Sequence, residues 1–497
     1  MDDEVLGQGV RGDEEPLSRG MVLLLLSQGV FLASGYAIHI FLARRLGPLD
    51  YGVFSFVITV LTWVEILVYG TSNLAVRHIQ GGLCDLRSLK ASLFRAQCAM
   101  SLIIFLPLSL VGLAIGLSSR KYGFLFSIAF LDMIFVGFYQ LYLGYLNGFR
   151  QYTRQAIASV TYSLSKASAM VSLVLFGWGV KGALLGNVFS SVAGLLAGSL
   201  LFASWSNADP AIGLACVDSS RENLSIGKLI KESLTFALVP LLVNFVMNLD
   251  LWVVNFLRGG PDVGYYSSAG TISRTVYFLF SAVSMAFFPA MVSSLHDGTA
   301  SAKGKRLFDL SGDFFAAVAL PFSLALAVNG WQLVTLLYGK AYASAGFTTS
   351  ILGMGMLFLT IFVYLVHVLY AAGEYRKAVR MLVMVALSDI VLAPPLVLVG
   401  GRNGAALSTT TVSLVGLMMA YRLVKKDLSL EWDAKRMGKA FPLCIACFMP
   451  LLAIPREGMT FIPLSLLASL VYLLASLRLE LIERSICRRM LKSILTW

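Results

Sequence analysis

Six ionisable side chains stand inside long apolar stretches of this sequence: Glu65, Asp132, Lys166, Asp250, Arg274 and Asp389. A charged group in hydrocarbon is expensive, so each should meet a partner or a wet cavity. Arg274, in "SSAGTISRTVYFLF", is the clearest case. A guanidinium keeps its charge and grips phosphate or carboxylate oxygens two at a time. Arg274 therefore faces a cavity that receives an anion, or it closes a structural pair with Asp250 on the preceding apolar segment. The two readings are compatible if an anion displaces the carboxylate. Lys166 lies among the serines of "SLSKASAM" and reads as part of a polar cavity wall. Asn244, Asn248 and Asn255 share one helix face on the segment that carries Asp250. Their amides suit sugar hydroxyls or neighbouring helices equally. Arg77 closes an apolar stretch, as a ligand contact or as an arginine reaching for the interface. His39 and His367 read as satisfied interior histidines.

Other chemistry is missing from the sequence. "GTASAKGKR" lacks the spacing and the final Ser/Thr of a phosphate-binding loop. There is no HExxH and no GxSxG. No catalytic residue, cofactor or metal is expected, and the chain does not read as an enzyme. Cys444 and Cys447 have CxxC spacing inside "FPLCIACFMPLL", an apolar setting that suits buried thiols better than a metal.

The elements that must position these residues follow from composition. The 497 residues are 58% hydrophobic and 13% charged, with net charge +12. Mean hydropathy is +0.79. Soluble domains carry about twice that share of charge. The composition excludes a cytosolic enzyme, a disulfide scaffold and a disordered chain, and leaves an all-α polytopic membrane protein. The basic residues form no single stripe, so nucleic acid is not an expected partner. About fourteen apolar runs reach membrane-spanning length, from 19–43 to 460–483. With the N-terminus in the cytoplasm, Lys and Arg crowd the cytoplasmic connections, which places both termini inside. Membrane lipids are the natural partners of that basic face.

The sequence also repeats. "RRLGPLDYGVFS" (44–55) leaves the first run, and "LRGGPDVGYYSS" (257–268) leaves the seventh. "YLNGFRQYTRQA" (145–156) matches "YAAGEYRKAVRM" (370–381), and "VKGALLGN" (180–187) matches "GRNGAALS" (401–408). A period of six helices keeps both halves in one orientation, related by a pseudo-two-fold along the membrane normal. The expected organisation is an acidic cytoplasmic tail (1–18), an N-lobe (19–205), a cytoplasmic linker (206–228) and a C-lobe (229–425). Two further helices and a basic cytoplasmic tail (426–497) complete it. A central cavity belongs between the lobes.

"FLARRLGPLDYGVFSF", "GTSNLAVRHI" and "NLDLWVVNFLRGGPDVGYYSSAGTISR" resemble the polysaccharide transporter family of the multidrug/oligosaccharidyl-lipid/polysaccharide exporter superfamily. The departure is Gly-Gly-Pro at 259–261, where that family usually reads Leu-Gly-Pro. The resemblance implies a bacterial inner-membrane flippase of polyprenyl-pyrophosphate-linked oligosaccharide repeat units, of O-antigen or exopolysaccharide type. It implies work alongside a polysaccharide polymerase and glycosyltransferases. Arg77 then matches the family's arginine at the inner mouth. The alternatives are an ion-coupled multidrug exporter of the same superfamily, a lipid II flippase, or a membrane polymerase or ligase. The first is weakened by the lack of a carboxylate in 19–43, the last by short outer connections.

Overall fold

The computed structural model describes residues 17–81, 86–118, 123–208, 225–296, 299–453, 459–479 and 481. Most of the acidic tail, the core of the 206–228 linker and the basic C-terminal tail lie outside them. The described chain is almost wholly helical, apart from the two-residue strands Leu295–His296 and Thr299–Ala300. Backbone polar groups in hydrocarbon find partners only within a helix, which explains the bias.

Helix α1 runs Leu17–Val68, 52 residues. A straight helix of that length would reach about 78 Å against a bilayer core of about 30 Å. It breaks at Gly47 (φ 75°, ψ 173°), followed by Pro48, where the first sequence turn was expected. The first half continues with α2 (Gly70–Gln80), α3 (Leu86–Ser118), α4 (Gly123–Gly148), α5 (Tyr152–Leu173) and α6 (Gly179–Ala208). A five-residue π segment, Val174–Trp178, joins α5 to α6. Then come α7 (Ile226–Leu257), α8 (Pro261–Val292), α9 (Ala302–Phe314), α10 (Leu320–Val328), α11 (Gly330–Tyr338) and α12 (Gly346–Ala371). Helix α13, Tyr375–Leu428, is 54 residues long and breaks at Gly401. The chain ends with α14 (Ala434–Phe448), α15 (Pro450–Ala453) and α16 (Phe461–Arg478). Nine stretches of described residues are long and apolar enough to cross a membrane, so this is a multi-pass membrane protein.

The repeat is visible in backbone geometry: Gly47 and Gly259 both take positive φ as the sequence pairing set them, and the other two pairings shift in register. Gly179 (φ 54°, ψ −136°) and Gly401 (φ 57°, ψ −139°) have the same conformation. The sequence pairing set Val180 opposite Gly401, one residue away. Arg150 (φ 54°) and Gly373 (φ 80°) occupy matching left-handed turns. Gln151 N donates to Leu146 O at 2.8 Å, as Glu374 N donates to Leu369 O at 3.0 Å. The sequence pairing set Gly148 opposite Gly373, two residues away. Short motifs align by letters, whereas the turn is defined by which residue adopts positive φ.

The chain divides into two compact units, Met1–Asn244 and Phe245–Trp497. In the first, α5 packs on α1 and α6, and α4 packs on α3 and α6. Small residues permit this: a Cβ on Gly186 would lie 2.7 Å from the Met170 backbone. In the second, α12 is the central helix and packs on α8, α10 and α13.

Candidate functional site

Each unit buries a polar cluster in its apolar interior. In the second unit the cluster forms around Asp250 of α7, which has no exposed surface. The Asp250 carboxylate accepts from Leu251 N (2.6 Å), from Thr409 Oγ1 on α13 (2.8 Å) and from the Tyr266 hydroxyl on α8. Asp389, on the first half of α13, accepts from Ser408 Oγ at 2.7 Å. Its other oxygen, Oδ2, is buried without a hydrogen-bond partner, as is Ser413 Oγ. The two carboxylates act electrostatically on one another.

Arg274 sits beside this cluster but is not tied into it. Its charge acts on Asp250, yet no ion pair within 4.0 Å joins them among the described residues. Arg274 Nη2 instead donates to the Met247 carbonyl at 2.6 Å, and Nε is buried with no acceptor. The side chain is partly accessible. Of the two readings open for Arg274, the contact pair with Asp250 is not formed, and a backbone carbonyl takes its place. The physical reason is that three donors already occupy Asp250, while an α-helical carbonyl has a second lone pair to offer.

In the first unit, Glu65 (α1), Asp132 (α4) and Lys166 (α5) converge. Tyr69 donates its hydroxyl to Glu65 Oε2 at 2.9 Å. Asn187 Nδ2 of α6 donates to Asp132 Oδ2 at 2.7 Å. Asp132 Oδ1, Asn187 Oδ1 and Ser191 Oγ are buried without hydrogen-bond partners. Lys166 acts electrostatically on both carboxylates without reaching ion-pair distance. Its ammonium lies 5.6 Å from the Tyr162 ring centroid, and that ring stacks on Tyr139 at 4.8 Å. Lys166 is partly accessible, whereas Asp132 is fully buried.

The other expected residues fall elsewhere. Arg77 is 58% exposed and faces Glu232 of α7 at 3.5 Å, an ordinary surface pair. Of the asparagine stripe on α7, Asn248 is buried, while Asn244 and Asn255 are partly exposed. His39 Nδ1 meets the Tyr51 hydroxyl at 3.0 Å, and His367 lies against Phe288. Sequence reasoning did not assign Tyr69, Asn187, Tyr266, Ser408 or Thr409 a place in either cluster. The "STTT" run at 408–411 was a usable signal, since hydroxyls in an apolar helix need acceptors. No group of three or more His, Cys, Asp or Glu able to hold a metal occurs among the described residues.

The fold has known counterparts. A structure of the lipid II flippase MurJ, inward closed, superposes with TM-score 0.73 at 14% identity, covering 92% of this chain and 98% of that one. An inward-facing multidrug resistance MATE transporter of the MOP superfamily gives TM-score 0.60 at 16% identity, covering 85% and 98%. A MOP superfamily transporter from Pyrococcus furiosus gives 0.58 at 15% identity, covering 83% and 95%. Curated protein sequences provide no match. The sequence model of the polysaccharide biosynthesis protein family matches residues 17–295. That span holds the Gly47 turn, the Glu65–Asp132–Lys166 cluster, Asp250 and Arg274, and the chain belongs to the polysaccharide biosynthesis protein family.

Proposed function

We propose that the chain is a flippase of polyprenyl-pyrophosphate-linked oligosaccharide repeat units, working by alternating access in a bacterial inner membrane. Both termini are cytoplasmic in this reading, and residues 19–205 and 229–425 act as the moving lobes. The chain carries its substrate across without chemical change. Glycosyltransferases supply the substrate and a polymerase consumes it.

The observation that supports this reading is Arg274. A partly accessible guanidinium inside an apolar helix donates to one backbone carbonyl and holds a buried Nε with no acceptor. Among the described residues, no carboxylate neutralises it at contact distance. A pyrophosphate supplies both the missing charge and the missing acceptor, and Arg binds it through two oxygens at once. Lys166 is another partly accessible cation deep inside a helix. The family membership supports a role in polysaccharide assembly.

The test is export of the glycan in cells lacking the native gene. Arg274→Ala, at normal membrane levels, is expected to cut surface glycan at least tenfold, with Arg274→Lys intermediate because one ammonium replaces a two-pronged donor. Normal export by Arg274→Ala removes the assigned role. A lipid II flippase is a second reading, favoured by the MurJ likeness in fold. Transport of lipid II with no transport of other lipid-linked glycans would decide for it.

A further inference from the structure

A recess of about 310 Å³ opens on the first unit between α3 and α4. Its lining is Lys90, Phe94 and Arg95 from α3, and Leu141, Tyr142 and Tyr145 from α4, with Ala91 between them. The charged groups in its lining are two cations. Neither Lys90 nor Arg95 has an acidic partner among the described residues. The Lys90 ammonium is held over the Phe202 ring of α6, 4.6 Å from its centroid. Behind the recess, Tyr142, Tyr145, Phe149, Phe202 and Trp205 form one connected aromatic layer. Such layers sit at the depth of lipid headgroups.

The apolar wall continues along α3. Phe94 is exposed, and Leu102, Leu106 and Leu110 are exposed at successive intervals of four, with Ile103 beside them. Four-residue spacing is one ridge of a helix, and this ridge runs about 24 Å from the recess. It is an apolar track that starts at two unneutralised cations. We propose that this recess binds an anionic phospholipid. Lys90 and Arg95 take the headgroup phosphate, the tyrosines flank the glycerol region, and an acyl chain follows the α3 ridge. A soluble phosphate would leave the ridge unused. A zwitterionic lipid would leave the cations without net compensation.

The full-length protein, purified in detergent, is unfolded thermally with added phosphatidylglycerol or phosphatidylcholine. Phosphatidylglycerol is expected to raise Tm by about 3 °C over phosphatidylcholine. The Lys90→Gln, Arg95→Gln double variant is expected to lose that difference while matching the unmutated protein in phosphatidylcholine. Equal effects of the two lipids overturn the proposal, and so does a difference that survives in the double variant. Inorganic phosphate or pyrophosphate giving the same rise also overturns it, as does a response to polyprenyl pyrophosphate alone. If the double variant does not fold, the unmutated protein still decides. Its phosphatidylglycerol effect must shrink between about 50 mM and about 500 mM salt, and a salt-independent effect refutes headgroup binding.

Discussion

Lys166 and Asp389 occupy the same place in the two halves of the chain. Each follows the N-cap of its helix, Gln151 or Glu374, at the same interval, roughly four helical turns. The two N-caps share φ near −82° and close their turns with matching hydrogen bonds. Asn187 and Thr409 likewise follow Gly179 and Gly401 at one interval, and each donates to a buried carboxylate: Asp132 in one unit, Asp250 in the other. The halves thus keep one scaffold of polar positions and reverse the charge at one of them. The first unit sets an ammonium beside two carboxylates, whereas the second sets a third-helix carboxylate beside Asp250.

The ammonium should therefore be coupled to the first unit's carboxylates. Lys166→Met is expected to cost about 1–3 kcal/mol, and Asp132→Asn on that background to recover at least about 1 kcal/mol of it. Unfolding of the two single variants and the double variant in one detergent measures the coupling. Strict additivity would show that Lys166 does not stabilise the pair.

Asp250 is held by hydrogen bonds instead of by a counterion. Asp250→Asn turns one carboxylate oxygen into a donor that faces either the Tyr266 and Thr409 hydroxyls or the Leu251 N–H, at an expected cost of about 1–3 kcal/mol. Thr409→Val removes one hydroxyl, shared between Asp250 and the Ala405 carbonyl, and should cost about 1 kcal/mol. Thermal unfolding ranks the two. An Asp250→Asn protein as stable as the unmodified one contradicts the donor assignment.

The break at Gly401 brings the two parts of α13 so close that Gly404 has no room for a side chain, whereas Gly400 has ample room. A Cβ on Gly404 would fall 1.8 Å from the Leu396 carbonyl oxygen, whereas nothing lies within 4 Å of one on Gly400. Gly404→Ala should remove most folded protein from the membrane, and Gly400→Ala should leave it unchanged. Immunoblots of membrane fractions distinguish the outcomes. Equal levels would mean that α13 does not fold back at this point.

Trp432 fastens the connection after α13 onto α9. Its ring stacks on Phe308 at 4.8 Å and on Tyr421 at 5.4 Å, and Nε1 donates to Phe308 O at 2.9 Å. Trp432→Ala is expected to destabilise by about 3 kcal/mol, and Trp432→Phe, which keeps the stack, by about 1 kcal/mol. Similar losses in both would place the energy in the hydrogen bond.

Much of the scaffold is legible in the chain. The Gly47–Pro48 turn, the glycines near 179 and 401, and the polarity of the six interior charges all announce themselves. Each follows from local constraints: helix length against bilayer thickness, positive φ at glycine, and the cost of charge in oil. The repeat is legible too, and its first turn keeps the register read from the letters, since Gly47 and Gly259 both take positive φ, whereas the two later pairings slip. Arg150 takes the left-handed turn position that Gly373 holds in the other half, so letter matching slips by two residues.

The sequence by itself determined that this is a helical membrane protein with ionisable groups buried at particular depths. Only the tertiary structure decided which groups meet. Hydrogen-bond partners are set within about 3 Å by side chains from different helices, and residues as distant in the chain as Asp250 and Thr409 share no local signal. That is why Arg274 and Asp250, obvious partners on adjacent segments, instead took a backbone carbonyl and a trio of neutral donors.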